Sequence, residues 1–149
     1  LRGLVGSEMC IRDSVYGTLQ RPFGNHDLIT DAGGIFIGEA ETVEKYPLIG
    51  SGIPYLIDSP NHEYGHHVRG EVYTIAVKNM SFIDRLEGHP RWYERRVRRV
   101  KLVSELQNPF GDSNECWMYF LKNCNPDDIC ESDTYADYKS KRLSREFYR

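Results

Sequence analysis

Two strand-forming stretches with one capped helix between them set the narrowest limit on what this chain can fold into. Val68 to Val77 is rich in β-branched and aromatic residues (Val68, Val72, Tyr73, Ile75), the composition of a pleated, half-buried strand. Asn79 to Glu87 reads as a helix: Asn79 or Ser81 can cap it, and Met80, Ile83 and Leu86 recur along one face. Gly88 follows where a left-handed residue ends a helix, and Pro90 forbids continuation. Tyr93 to Val103 is a long, charged strand whose alternation slips near Arg98-Arg99, which predicts a bulge.

The flanking segments repeat the preference for strands. Val15 to Leu19 reads as the end of a strand running into a glycine turn, and Gln20 to Asp31 as a loop with a short helical turn. Ile35 to Tyr46 has strand character interrupted at Gly38. Two short apolar runs, Leu48-Ile49 and Ile53 to Ile57, are split by a Gly-Ser-Gly turn, and Asp58 to His67 is a polar loop. Glu115 to Leu121 is a further strand, and the polar tail from Pro126 has weak helical character. An α+β fold around a small curved or closed mixed sheet is expected.

The first residues, Leu1 to Ser14, show neither helical nor strand periodicity, do not begin with Met, and resemble translated sequencing-adapter read-through. They are read as a non-native leader over 1–14, with one domain over 15–149. The chain's 149 residues suffice for one domain with a core. A net charge of −3 argues against nucleic acid or an anionic membrane as the main partner. No apolar run approaches the roughly 20 residues of a membrane span. Cys10, Cys116, Cys124 and Cys130 form no C-x-x-C pair, so reduced thiols in a cytosolic (cytoplasmic) protein are expected.

Several motifs could carry chemistry. Val15-Tyr16-Gly17-Thr18-Leu19 ends a strand in a turn whose successive N–H groups can hold a carboxylate or an oxyanion; a plain strand-to-loop turn fits the same residues. Glu87 falls one turn after Ile83, on the face that Ile83 and Leu86 bury. There its carboxylate would be costly to ionise, and a raised pKa suits proton shuttling near neutral pH; a helix-end Glu pointing to water is the alternative. Tyr93 and Arg95 share one side of the following strand and could line a pocket beside Glu87, or be ordinary strand residues.

Two patterns point elsewhere. His62-Glu63-Tyr64-Gly65-His66 satisfies H-E-x-x-H, but zinc chemistry needs both His on one helix face. Pro60-Asn61 before it, Gly65 within it and the strand after it all predict a loop. The basic run Arg91, Arg95, Arg96, Arg98, Arg99, Lys101 has few interleaved aromatics and reads as a charged edge strand.

Taken in order, Tyr16-Gly17-Thr18-Leu19, Glu44-Lys45-Tyr46-Pro47-Leu48, Gly52-Ile53-Pro54-Tyr55-Leu56, Gly70-Glu71-Val72-Tyr73, Asp84-Arg85-Leu86-Glu87 with Pro90, and Tyr93-x-Arg95 resemble the gamma-glutamylamine cyclotransferases of the AIG2-like group. The resemblance spans roughly Val15 to Val103 and weakens after Asn123. It implies a small mixed β-barrel with peripheral helices. It implies that Glu87 is the catalytic acid/base and that the turn of Tyr16, Gly17, Thr18 and Leu19 binds substrate, with Tyr93 and Arg95 beside it. The implied partner is a small gamma-glutamyl amine, with no cofactor and no metal, and a monomer is favoured. A cyclotransferase for gamma-glutamyl amino acids or glutathione, and an inactive binding module of the same fold, are the alternatives.

Overall fold

The computed structural model describes residues 4–5, 8–16, 20–21, 23, 26–50, 54–81, 83, 93–103 and 114–141. The strands are β1 (Leu4–Val5), β2 (Glu8–Val15), β3 (Ile35–Thr42), β4 (Leu48–Ile49), β5 (Tyr55–Leu56), β6 (Arg69–Ala76), β7 (Tyr93–Leu102) and β8 (Asn114–Leu121). One short helix, α1 (His26–Asp31), precedes β3. The main sheet runs in the order β1-β2-β6-β3-β7-β8, and β4 pairs with β5 in a separate two-stranded ribbon. Its neighbours along that order are antiparallel. In addition β2 meets β8 in parallel at Asp13↔Trp117, so the two ends of the long-strand order lie side by side. The α+β class holds.

Alternation along β6 and β8 builds a core on each face of the sheet. Val72, Cys116, Met118 and Phe120 join Tyr16, Ala40, Tyr46, Leu48, Leu56, Val68, Val100 and Leu102 in one cluster. Tyr73, Ile75 and Tyr119 join Ile29, Ala32, Met80 and Ile83 in the other, with Trp117 and Tyr93 packed against it. Met80 and Ile83 are the first two apolar positions of the expected helix. Residues 80, 81 and 83 are helical, after a 3-10 turn at Val77–Asn79. Leu86 and Glu87 lie outside the described residues. No helix among the described residues is long and apolar enough to cross a membrane.

Two readings of local structure change. Glu8–Val15, mostly within the segment set aside as a leader, forms β2 and pairs with β6 from Cys10↔Ala76 to Val15↔Glu71. Ladder hydrogen bonds come from the backbone, so a strand beside a strong partner needs no side-chain alternation of its own. The bulge expected at Arg98-Arg99 is absent from the β7–β8 ladder, which keeps one register from Tyr93↔Leu121 to Val100↔Asn114. The irregularity instead lies in β3, between Phe36 and Gly38, next to the expected interruption.

The tail is more than a polar appendage. Arg69 donates its N–H to the Ala136 carbonyl at 2.9 Å, and Tyr135 donates its N–H to Leu48 at 3.1 Å and its hydroxyl to Gly50 at 2.7 Å. Residues 138–141 form a helical turn, and Tyr138 is buried edge-on against Phe23.

Candidate functional site

Of the expected site residues, the structure describes Tyr16, Tyr93 and Arg95; Gly17, Thr18, Leu19 and Glu87 lie outside the described residues. Tyr16 directly follows β2 and is buried in the core. Its hydroxyl donates to the Tyr119 carbonyl at 2.6 Å, so it ties the chain at the end of β2 to β8. Tyr119 is the register partner of Arg95 on β7. Tyr16 reaches that backbone from the cluster of Met118 and Phe120, whereas Arg95 lies over Trp117, beside the other cluster.

Tyr93 and Arg95 share one face of β7, as their spacing requires. Tyr93 stacks on Tyr55 with ring centroids 6.3 Å apart. The Arg95 guanidinium sits over the Trp117 ring, 4.8 Å from its centroid. The indole Nε1–H of Trp117 is buried and, among the described residues, is the side-chain donor left without a hydrogen-bond partner. An orphaned donor of this kind costs roughly 1–3 kcal/mol.

Beyond residues 17–19 the chain is anchored, at Arg21, by a residue to which the motif reading gave no role. Glu71 on β6 is 1% exposed. Its Oε1 accepts from the Arg21 backbone N–H at 2.9 Å and from the Tyr73 hydroxyl at 2.9 Å. Its Oε2 accepts from Arg21 Nε at 3.3 Å and from Lys139 Nζ at 3.0 Å. Burial works to raise the pKa of this carboxyl, but the Arg21 amide, the Lys139 ammonium and the Tyr73 hydroxyl outweigh it and hold it below its ordinary value. The Tyr73 hydroxyl moves the other way, raised by burial and then by its bond to Glu71. One sequence signal was present: Glu71 shares a strand face with Tyr73 and Ile75, so alternation alone aims it at a buried surface.

The H-E-x-x-H segment is loop, as its flanks predict, and the helix that pattern needs is not formed. His62 Nδ1 accepts from the Tyr64 N–H at 3.0 Å, which leaves Nε2 to donate to the Pro126 carbonyl at 2.9 Å. His66 Nε2 contacts Thr134 Oγ1 at 3.1 Å. Both histidines thus tie the loop to the C-terminal segment. Gly65 permits this path, since a Cβ there would lie 3.0 Å from the Lys45 carbonyl carbon.

The arginines of β7 are internally paired. Asp58 bridges Arg96, at 2.5 Å, and Arg98; Arg96 also reaches Glu94 at 2.6 Å, and Arg99 pairs with Glu44. A cavity of about 250 Å³ opens here, lined by Asp58, Glu94, Arg96, Lys122 and Cys124 among others. Glu94 and Arg96 alternate with Tyr93 and Arg95, so this cavity lies on the other face of β7 from those two residues. Burial, then Asp128, raises the pKa of the Cys124 thiol, the opposite of what a nucleophilic cysteine needs.

Residues 14–140 match the family described as gamma-glutamyl cyclotransferase, AIG2-like. The chain belongs to the AIG2-like gamma-glutamyl cyclotransferase family. It is 35% identical over 120 residues to the rat gamma-glutamylaminecyclotransferase, covering 76% of this chain and 79% of the relative. With the human gamma-glutamylaminecyclotransferase the identity is 34% over 116 residues, covering 70% and 74%. The crystal structure of a mouse AIG2-like protein superposes with a TM-score of 0.70 at 32% identity, covering 85% of this chain and 88% of that one. An enzyme of the gamma-glutamyl cyclotransferase kind is the activity these relationships support.

Proposed function

We propose that this cyclotransferase acts on gamma-glutamyl amines, with gamma-glutamyl-epsilon-lysine as the representative substrate. The observation that supports the reading is that the chain is fastened on both sides of residues 17–19. Tyr16 is held to Tyr119 before them and Arg21 to Glu71 after them. A turn fixed at both ends can present preorganised N–H groups to a carboxylate or an oxyanion without reorganising during reaction. The rat and human relatives, which carry the name gamma-glutamylaminecyclotransferase, favour an amine over an amino acid as the leaving group.

Such a substrate supplies its own nucleophile. Its α-amine attacks the γ-carbonyl carbon and forms the C–N bond of a five-membered ring. The isopeptide C–N bond then breaks, releasing 5-oxoproline (pyroglutamate) and the free amine. No water is consumed, and neither a protein nucleophile nor a cofactor is required. The protein folds the substrate into attack geometry, a proximity effect. Glu87 takes a proton from the α-ammonium group and returns one to the departing amine. The amides of Gly17, Thr18 and Leu19 hold the substrate carboxylate or the developing oxyanion, and Tyr93 and Arg95 border the substrate. The unpartnered Trp117 N–H, under Arg95, is a donor left for the same ligand.

A panel of gamma-glutamyl-epsilon-lysine, a gamma-glutamyl amino acid and glutathione, scored for 5-oxoproline, tests the substrate class. The isodipeptide should have the highest kcat/KM, by about tenfold or more. A preference for glutathione or the gamma-glutamyl amino acid would assign the chain to the other branch of cyclotransferase chemistry.

A further inference from the structure

We propose that Glu71 is a positioning residue for the substrate turn and that Lys139, from the C-terminal segment, locks it in place. This inference rests on the assignment of the turn to substrate binding. Glu71 is the register partner of Val15, so its backbone lies beside the point where the chain leaves β2 for the turn. Its side chain then reaches the other side of that turn and accepts the Arg21 N–H. One residue of β6 thereby fixes the separation of the turn's two ends.

The chemistry favours a carboxylate over any neutral residue at this position. Four donors converge on it: the Arg21 amide, Arg21 Nε, the Tyr73 hydroxyl and the Lys139 ammonium. A carboxylate is acceptor-only, with roughly four lone-pair sites, and so can satisfy all of them at once. Tyr73 stands in the core with Ile75, Met80 and Ile83, so the same carboxylate is braced by the face on which Met80 and Ile83 pack. Lys139 comes from the helical turn at 138–141, where Tyr138 is buried against Phe23. The C-terminal segment thus contributes to the clamp. Glu71 makes no contact with the reacting atoms in this scheme; it acts through the placement of the turn's amides. Loss of the clamp should therefore weaken substrate binding more than it slows chemistry.

Glu71→Met/Lys139→Met removes the acceptor together with the cation that would be left unpaired. Glu71→Gln/Lys139→Met removes the same charges but keeps an oxygen for the Arg21 N–H. The KM of the Met variant should exceed that of the Gln variant by about tenfold or more, with kcat differing by less than about threefold. An ion pair that only held the fold together would lower the active fraction of both variants and leave their KM values alike. A KM ratio within about twofold, in folded protein, would overturn the proposal. Amide exchange at Arg21 in the wild-type protein reads the clamp without any variant or any activity. Protection of about a hundredfold or more supports it, and exchange at the free-peptide rate overturns it. A wild-type protein inactive on every gamma-glutamyl substrate would refute the functional reading, and the Arg21 exchange rate would still decide the clamp.

Discussion

A carboxylate with 1% exposure persists at Glu71 because donors surround it, and this has a measurable dependence on pH. Its folded pKa lies below the ordinary 4.5, so the folded state favours the ionised form. The resulting stability is fully present above the unfolded pKa and is lost as pH falls through the lower, folded value. Glu71→Gln removes this dependence. Between about pH 5 and pH 3 the wild-type Tm should fall more steeply than that of the variant, while near pH 7 the wild type is the more stable. Parallel acid limbs in thermal melts across that range would contradict it. At this scale the sequence was half legible. Period-two alternation puts Glu71 on the face of Tyr73 and Ile75, a buried surface. Its partners Arg21 and Lys139 are 50 and 68 positions away, and no local pattern encodes so distant a pairing.

Among the elements, those whose own side chains encode burial were readable. The strand runs at Val68 to Val77, Tyr93 to Val103 and Glu115 to Leu121 became β6, β7 and β8 with ends shifted by a residue or so. The short runs around Leu48 and Tyr55 became the β4–β5 ribbon. Of β2 only the end at Val15 was readable, because the place of its earlier residues is set by the backbone groups β6 offers them. The false bulge in β7 has a side-chain cause. Arg98 shares the face of Val100, where an apolar residue would keep the pattern, yet its guanidinium lies over the Phe120 ring and pairs with Asp58. A capped arginine can occupy an apolar row without a register shift. The turn after α1 gives a sharper test of element geometry. A Cβ on Gly34 would fall 2.6 Å from Ile29 Cγ2 and 2.8 Å from the Ile29 carbonyl oxygen. Gly34→Ala must displace backbone and should cost about 2 kcal/mol or more, read as a lowered midpoint in urea unfolding. An unchanged midpoint would show that the α1–β3 connection yields freely.

At the scale of the molecule, the proposed site would draw on distant parts of the sequence: residues after β2, residues after β6 and one face of β7. The sheet order sets β6 beside β2, and β8 carries both Tyr119 and the partner positions of β7. The resemblance of ordered short motifs identified the family correctly. The C-terminal segment was missed, since its hydrogen bonds to Leu48, Gly50 and Arg69 leave no periodic trace. The most direct measurement is 5-oxoproline release from gamma-glutamyl-epsilon-lysine by wild-type protein and by Glu87→Gln, side by side, with folding checked by circular dichroism. The account predicts release by the wild type and a folded variant slower by about two to four orders of magnitude. A folded Glu87→Gln protein that turns over at the wild-type rate would contradict it.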